Sequence, residues 1–208
     1  TRTTSDRSRL TGLNIHWVEG ALEDLDSLKR LVCGVDAVVH CAGAVRGATQ
    51  AHFERFLLMS SLAAREPGLS YYAASKRKAE TVLAEQAGSM PWAVLRPPAV
   101  YGPGDKEMLP LLRWMARGIA FVVGSGNARI SMLYVDDLAD AIQKWLLKDV
   151  LPKKIFELHD GQPAGYSWQD VIDTIEHLTG KRVRSVKVPL AVLKTVSSLN
   201  LHAARIFR

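Results

Sequence analysis

Tyr72 and Lys76 stand four residues apart in the stretch Tyr72-Ala-Ala-Ser-Lys76. On a helix, residues four apart share a face, so a phenol and an ammonium at this spacing project together into one place. A free tyrosine, with a pKa of about 10, is a poor acid or base near neutrality, but a nearby cation favours the phenolate and brings the group into working range. The pair can therefore move a proton. Eleven positions upstream of Tyr72, Ser61 closes the apolar run Phe56-Leu57-Leu58-Met59-Ser60. A hydroxyl at the end of a buried strand can polarise a carbonyl while the phenol transfers the proton. A plainer reading exists for each group: a helix with one buried tyrosine and one exposed lysine, and two strand-end serines capping a turn. We adopt the plain reading for Ser60 and the catalytic one for Ser61, Tyr72 and Lys76.

For these residues to meet, a strand must deliver the serine to the edge of a sheet and a helix must present the other two above it. The sequence supplies both. NIHWVEG, DAVVHCAG, RFLLMSS and WAVLRPPAVYG read as strands, the second and third with the near-continuous apolar character of strands buried on both faces. LEDLDSLKRLV places Leu22, Leu25, Leu28 and Leu31 at helical intervals, and SYYAASKRKAETVLAEQAG is rich in helix formers and ends at Gly88. Strand, helix, strand is the order of a doubly wound α/β fold with a parallel sheet, whose ligands bind at the carboxyl ends of the strands.

After Gly102 the texture changes. MLPLLRWMARG, VDDLADAIQKWLLK and SWQDVIDTIEHLTG read as helices, the last stopped by Gly180, while FVVGSG, ISMLYV and KIFELHD read as strands. The expected organisation is one unit over residues 1–208. Its doubly wound core lies mainly in 1–102, and a small C-terminal lobe lies mainly in 103–208, with strands returning to the core. Two pieces of such a fold are expected to be missing from the sequence. A parallel crossover needs a dozen or more residues, yet only AVRGATQAHFE separates DAVVHCAG from RFLLMSS, which points to a lost segment near Gln50 and Ala51. No Gly-rich turn follows a first strand, which points to an absent first βα unit.

Composition narrows the class. With 208 residues, 48% hydrophobic and 23% charged, the chain can bury a sizeable core. No apolar run is long enough to cross a bilayer and TRTTSDRSR has no secretion signal, so the expectation is a cytoplasmic protein without a membrane span. The net charge of +6 raises the question of nucleic acid, but the basic residues are spread through SKRKAE, RWMAR, LPKK and TGKRVR beside amphipathic segments, the pattern of solvated faces. No nucleic-acid partner is expected. Cys33 and Cys41 both lie in apolar surroundings and read as small buried hydrophobes, with neither a disulfide nor a metal site implied.

Taken together, HCAGAVRG, LLMSSLAAREPGLSYYAASKRKAE, LRPPAVYGPGD and YVDDLADAI, in this order and spacing, resemble the extended short-chain dehydrogenase/reductase family, which is NAD-dependent epimerase/dehydratase-like. The resemblance runs from about Leu10 to Leu193. It implies a Rossmann domain that binds NAD or NADP, a smaller substrate lobe, and catalytic roles for Ser61, Tyr72 and Lys76, with Lys76 also bonding the nicotinamide ribose. It further implies that Cys41, Ala42 and Gly43 pass the cofactor ribose and phosphates, where small residues allow close approach. It also counts Met59 among the cofactor-binding residues, and makes Pro97, Pro98, Ala99 and Val100 the loop against the nicotinamide carboxamide. A homodimer is left open.

The departures refine these expectations. The family usually has an aspartate near the adenine where Ala21 stands, so Ala21 and Leu22 must contribute through their backbone and apolar surface. Arg2 would lie just beyond the second strand, where related reductases place an arginine against the NADP 2′-phosphate, and this favours NADP. Relatives acting on nucleotide sugars commonly carry Asn at the place of Ala99 and an arginine on the strand before Val135-Asp136-Asp137. Counting back, that place holds Ile130, with Arg129 one residue earlier. A one-residue offset turns a strand side chain to the opposite face. The expected activity is hydride transfer between NAD(P) and a hydroxyl or carbonyl small molecule. A nucleotide-sugar epimerase or dehydratase, and a non-catalytic dinucleotide-binding subunit, are the alternatives.

Overall fold

A computed structural model describes residues 7–41, 54–123, 128–148 and 153–188. Arg2, Ala42, Gly43, the expected junction at Gln50 and Ala51, and the tail after Val188 lie outside the described residues. In chain order the elements are α1 (Leu25–Val32), β1 (Ala37–His40), β2 (Arg55–Met59), α2 (Tyr71–Gln86), β3 (Trp92–Arg96), β4 (Ala99–Tyr101), α3 (Met108–Ala116), β5 (Ile119–Val123), β6 (Arg129–Ile130), β7 (Met132–Tyr134), α4 (Val135–Leu146), β8 (Lys154–Glu157), β9 (Tyr166–Ser167), α5 (Trp168–Thr179) and β10 (Arg184–Val188). They fall into two compact units. One takes in the described residues up to Pro98 together with Ala141–Leu158, the other Ala99–Asp140 with the described residues from His159 onward.

The first unit is built on the parallel sheet β1-β2-β3-β8. This is the α/β, doubly wound arrangement read from the strand and helix order. Because the strands are parallel, their carboxyl ends meet at one edge. Phe56, Leu57 and Leu58 of β2 and Ala93, Val94 and Leu95 of β3 are buried, as their unbroken apolar runs require. α2 starts where Ser70 caps it, the Ser70 hydroxyl accepting the Ala73 N–H at 3.1 Å. Its buried face, Ala73, Lys76, Ala79, Glu80 and Leu83, follows the helical repeat. Ala79 and Leu83 join Phe56, Leu58 and Val94 in one apolar cluster, where a buried leucine contributes about 1.5–3 kcal/mol.

The second unit has a separate core of Met115, Ala120, Val122, Val171, Ile172 and Val183. β5 pairs with β10 in parallel, and α5 begins with a capping box between Ser167 and Asp170. Gly180 closes α5 in the left-handed conformation, φ 66°, as the sequence foretold.

Several expectations are corrected. NIHWVEG forms no strand, because strand geometry needs a partner and none of the described strands pairs with it. WAVLRPPAVYG is two strands in two sheets, broken at Pro97-Pro98, which have no N–H to continue the β3 ladder. ISMLYV is likewise split at Ser131 between β6 and β7. Cys33 and Cys41 are exposed, not buried: each sits one residue past the end of its element, beyond the covered part of helix or strand. β1 is half-buried throughout, since it is the edge of the described sheet.

Candidate functional site

The carboxyl edge of the first unit gathers the ends of β2 and β3 under the start of α2. Ser61 lies two residues past the end of β2 and caps the 3-10 helix Leu62–Arg65, its hydroxyl oxygen accepting the Ala63 N–H at 3.2 Å. The turn-capping role read onto Ser60 thus belongs to Ser61. A hydroxyl that accepts in this way still has its own proton to donate. The next N–H, that of Leu62, bonds the Pro97 carbonyl at 3.0 Å, which ties the Pro97-Pro98 loop to the serine.

On α2, Tyr72 is 55% exposed while Lys76, one turn later, is only 6% exposed. The Lys76 Nζ donates to the Met59 carbonyl at 2.9 Å and lies 5.8 Å from the centroid of the Tyr72 ring. Burial pushes the Lys76 ammonium below the usual lysine range. The structure therefore brings Met59, Ser61, Tyr72, Lys76 and Pro97 into one neighbourhood. Cys41 follows the last residue of β1, the neighbour of β2 in the sheet. Ala99 and Val100 belong to β4 in the other unit. Ala21 and Leu22 precede α1, where the Ala21 N–H donates to the Ser27 hydroxyl at 3.2 Å and the Ala21 carbonyl accepts from Ser27 at 3.3 Å and from the Asp24 N–H at 3.1 Å.

Sequence reasoning missed a chain of charges beneath this edge. Glu80, 4% exposed, accepts from Arg96 twice, at 2.9 Å from Nε and 2.6 Å from a terminal nitrogen, and from the Ser60 hydroxyl at 2.5 Å. Arg96, 7% exposed, also donates to Glu157 at 3.1 Å, and Glu157 is in turn bidentate with Arg65. Burial works against the Glu80 charge, but the hydrogen bonds from Arg96 and Ser60 hold its carboxyl below the ordinary range. The bond from Arg65, with Arg96 adding to it, takes Glu157 down to about 2. The visible signal was Glu80 four residues after Lys76, on the face already assigned to the site.

The donor set suits a dinucleotide. An ammonium has three N–H donors, and Met59 accounts for one, which leaves donors for neighbouring sugar hydroxyls at the strand ends. A parallel sheet with a tyrosine-lysine helix over its carboxyl edge defines the class, a Rossmann-type dinucleotide-binding unit. The sequence matches the profile described as NAD(P)H-binding over residues 1–108, and that of the NAD dependent epimerase/dehydratase family over residues 59–158. The chain belongs to the NAD(P)H-binding family, and its middle part is similar to the NAD dependent epimerase/dehydratase family.

Among curated relatives, it is 34% identical over 206 residues to a ceramide reductase of Caulobacter vibrioides, covering 90% of this chain and 64% of that protein. It is 40% identical over 70 residues to a 2-alkyl-3-oxoalkanoate reductase of Stenotrophomonas maltophilia, covering 33% of this chain and 21% of that protein. The chain thus spans less than two thirds of the length of either. Among solved structures, a UDP-glucose 4-epimerase with UDP-glucose from Thermotoga maritima matches with a TM-score of 0.71 at 18% identity, over 90% of this chain and 75% of that one. That likeness carries the fold. Among the described residues, no helix is long and apolar enough to cross a membrane.

Proposed function

We propose that this protein is an NAD(P)-dependent reductase of a carbonyl group, in which Tyr72 is the general acid, Lys76 its charge partner and Ser61 the donor to the carbonyl oxygen. The observation that carries the reading is the buried Lys76 ammonium beside the Tyr72 ring at the strand edge. When bound, a reduced nicotinamide supplies hydride to the carbonyl carbon. The Tyr72 phenol gives its proton to the oxygen, and the product is an alcohol. Ser61 hydrogen-bonds that oxygen as negative charge develops on it. Lys76, held by the Met59 carbonyl, offers its remaining N–H donors to the ribose hydroxyls and favours the phenolate left on Tyr72. Cys41, Met59, Pro97 and Pro98, with Ala21 and Leu22, are the proposed contacts of the cofactor. Arg2 against a 2′-phosphate makes NADP the favoured form.

The substrate we favour is a ketone on an alkyl-chain lipid: one relative is named for a 2-alkyl-3-oxoalkanoate, a 3-oxo compound, and the other for ceramide, a lipid. A nucleotide sugar is disfavoured. Arg129 is committed to the Ala164 carbonyl at 2.7 Å and the Gly165 carbonyl at 2.8 Å, and Ala99 has no amide for a phosphate. A bound diphosphate would then lack two partners. The test is to follow nicotinamide absorbance with NADPH and NADH in the presence of long-chain 3-oxo compounds, and to titrate UDP-glucose by calorimetry. Oxidation of NADPH by a 3-oxo lipid supports the reading, and micromolar binding of UDP-glucose counts against it.

A further inference from the structure

Tyr72, Lys76 and Glu80 follow one another at four-residue intervals, so they occupy one face of α2 on three successive turns. Two of the three reach the same short stretch of chain. Lys76 donates to the carbonyl of Met59, and Glu80 accepts from the hydroxyl of Ser60, the very next residue. The last turn of contact before Ser61 is therefore pinned to the helix at two consecutive residues.

Glu80 itself is not free to follow the strand. Arg96, at the end of β3, grips both of its carboxylate oxygens, and Arg96 is held on its far side by Glu157 of β8. The carboxylate is thus a fixed point, referenced to two strands, from which Ser60 is hung. A buried ion pair is a poor source of stability, because desolvation of both charges offsets most of their attraction. What such a pair, fully hydrogen-bonded, does supply is a single geometry.

We infer that Glu80 is a positioning residue. Through Ser60 it fixes the end of β2, and with it the Met59 carbonyl that holds the Lys76 ammonium beside Tyr72. The inference rests on the reading of Tyr72 and Lys76 as the proton-transfer pair, but its geometric part can be measured without any substrate. Removing the Ser60 hydroxyl bond leaves the Glu80–Arg96 bridge intact and Ser60 tied to β3 by its N–H on the Leu95 carbonyl at 2.8 Å, and it releases the strand end on the side that faces α2. Lys76 then loses its acceptor and becomes reachable from solvent, while Lys78, exposed on the same helix, keeps its surroundings.

The experiment is trace labelling of the full chain with acetic anhydride, with the rate at Lys76 read against Lys78 by peptide mass spectrometry. The proteins compared are the wild type, Ser60→Ala and Glu80→Gln, and circular dichroism verifies that each is folded. Lys76 is expected to react slowly in the wild type and about tenfold faster in both variants, the factor that loss of one modest hydrogen bond brings, with Lys78 unchanged. Ser60→Ala keeps the test decisive should Glu80→Gln fail to fold. An unchanged Lys76 rate in a folded Ser60→Ala or Glu80→Gln protein overturns the inference. With a reducible ketone in hand, both variants should lose about tenfold in kcat with KM nearly constant. Tyr72→Phe, run beside them, separates the two ideas: full turnover there removes the catalytic reading, whereas the labelling result alone decides the role of Glu80.

Discussion

The Lys76 ammonium donates to the carbonyl of Met59 at 2.9 Å, joining the first turns of α2 to the last residue of β2. One bond thus sets the distance between the helix that carries the phenol and the strand that leads to Ser61. The lysine serves both as a charge beside Tyr72 and as a strut across the site, and the two roles make its removal costly in different ways.

Replacing Lys76 by methionine keeps the buried stem and deletes the charge. Turnover of a carbonyl substrate should fall by about 10²- to 10⁴-fold, the span of positioned proton transfer. NAD(P)H affinity should also weaken, because the ammonium no longer offers donors to the ribose. Stopped-flow turnover and fluorescence titration of the reduced cofactor measure the two effects separately.

Much of this arrangement was legible in the residues. The apolar runs of β1 and β2 announced a parallel sheet, although β1 proves only half-buried, and Ser70 and Gly88 bracketed α2. The spacing of Tyr72 and Lys76 put them on one face. What could not be read was long-range. Arg65, Glu80, Arg96 and Glu157 are far apart in sequence, and only the folded sheet edge brings them into one chain of hydrogen bonds. Ser60 and Ser61 differ by one residue, so composition could not say which faces the helix and which caps the turn. Period-2 strand geometry sends neighbours to opposite sides. Pro97-Pro98 was visible as a rigid turn, yet its effect of ending one sheet and starting another depends on partners elsewhere in the chain.

Breaking the buried pair should be severe. Arg96→Met leaves Glu80 buried with only Ser60 and the distant Arg77 nitrogen at 3.8 Å, and removing one partner of such a pair costs about 3–5 kcal/mol. Urea unfolding of the variant against the wild type measures the loss. A change below about 1 kcal/mol would mean that the carboxylate finds water or another donor.

Acid should loosen the edge in a defined window. The Glu157 carboxyl, held down chiefly by Arg65, lies at about 2 in the folded chain against 4.5 for an ordinary glutamate. A depressed carboxylate lends stability above its unfolded pKa and loses it as the pH falls through its folded pKa. The contribution of Glu157 is therefore full above about 4.5 and gone near about 2. Thermal melts of the wild type and Glu157→Gln should differ most above the window and converge at its acid end.

Arg129 should behave as a structural residue. Its guanidinium spans the carbonyls of Ala164 and Gly165, and Gly165, at φ 67°, has no room for a side chain, since a Cβ would stand 2.9 Å from the Ile130 carbonyl. Arg129→Ala should lower the melting temperature of the protein while KM for a carbonyl substrate stays within about twofold, as for a residue that makes no substrate contact. A large rise in KM with an unchanged melting temperature would place Arg129 in the substrate site instead.

The claim at the centre is that the Tyr72 phenol delivers the proton. Tyr72→Phe removes one oxygen from an exposed ring and leaves Lys76 bonded to Met59, so the fold and NAD(P)H affinity should be preserved. Single-turnover reduction of a ketone by the NADPH-loaded protein should slow by about 10²- to 10⁴-fold. A Tyr72→Phe protein that reduces the same ketone at the wild-type rate would contradict it.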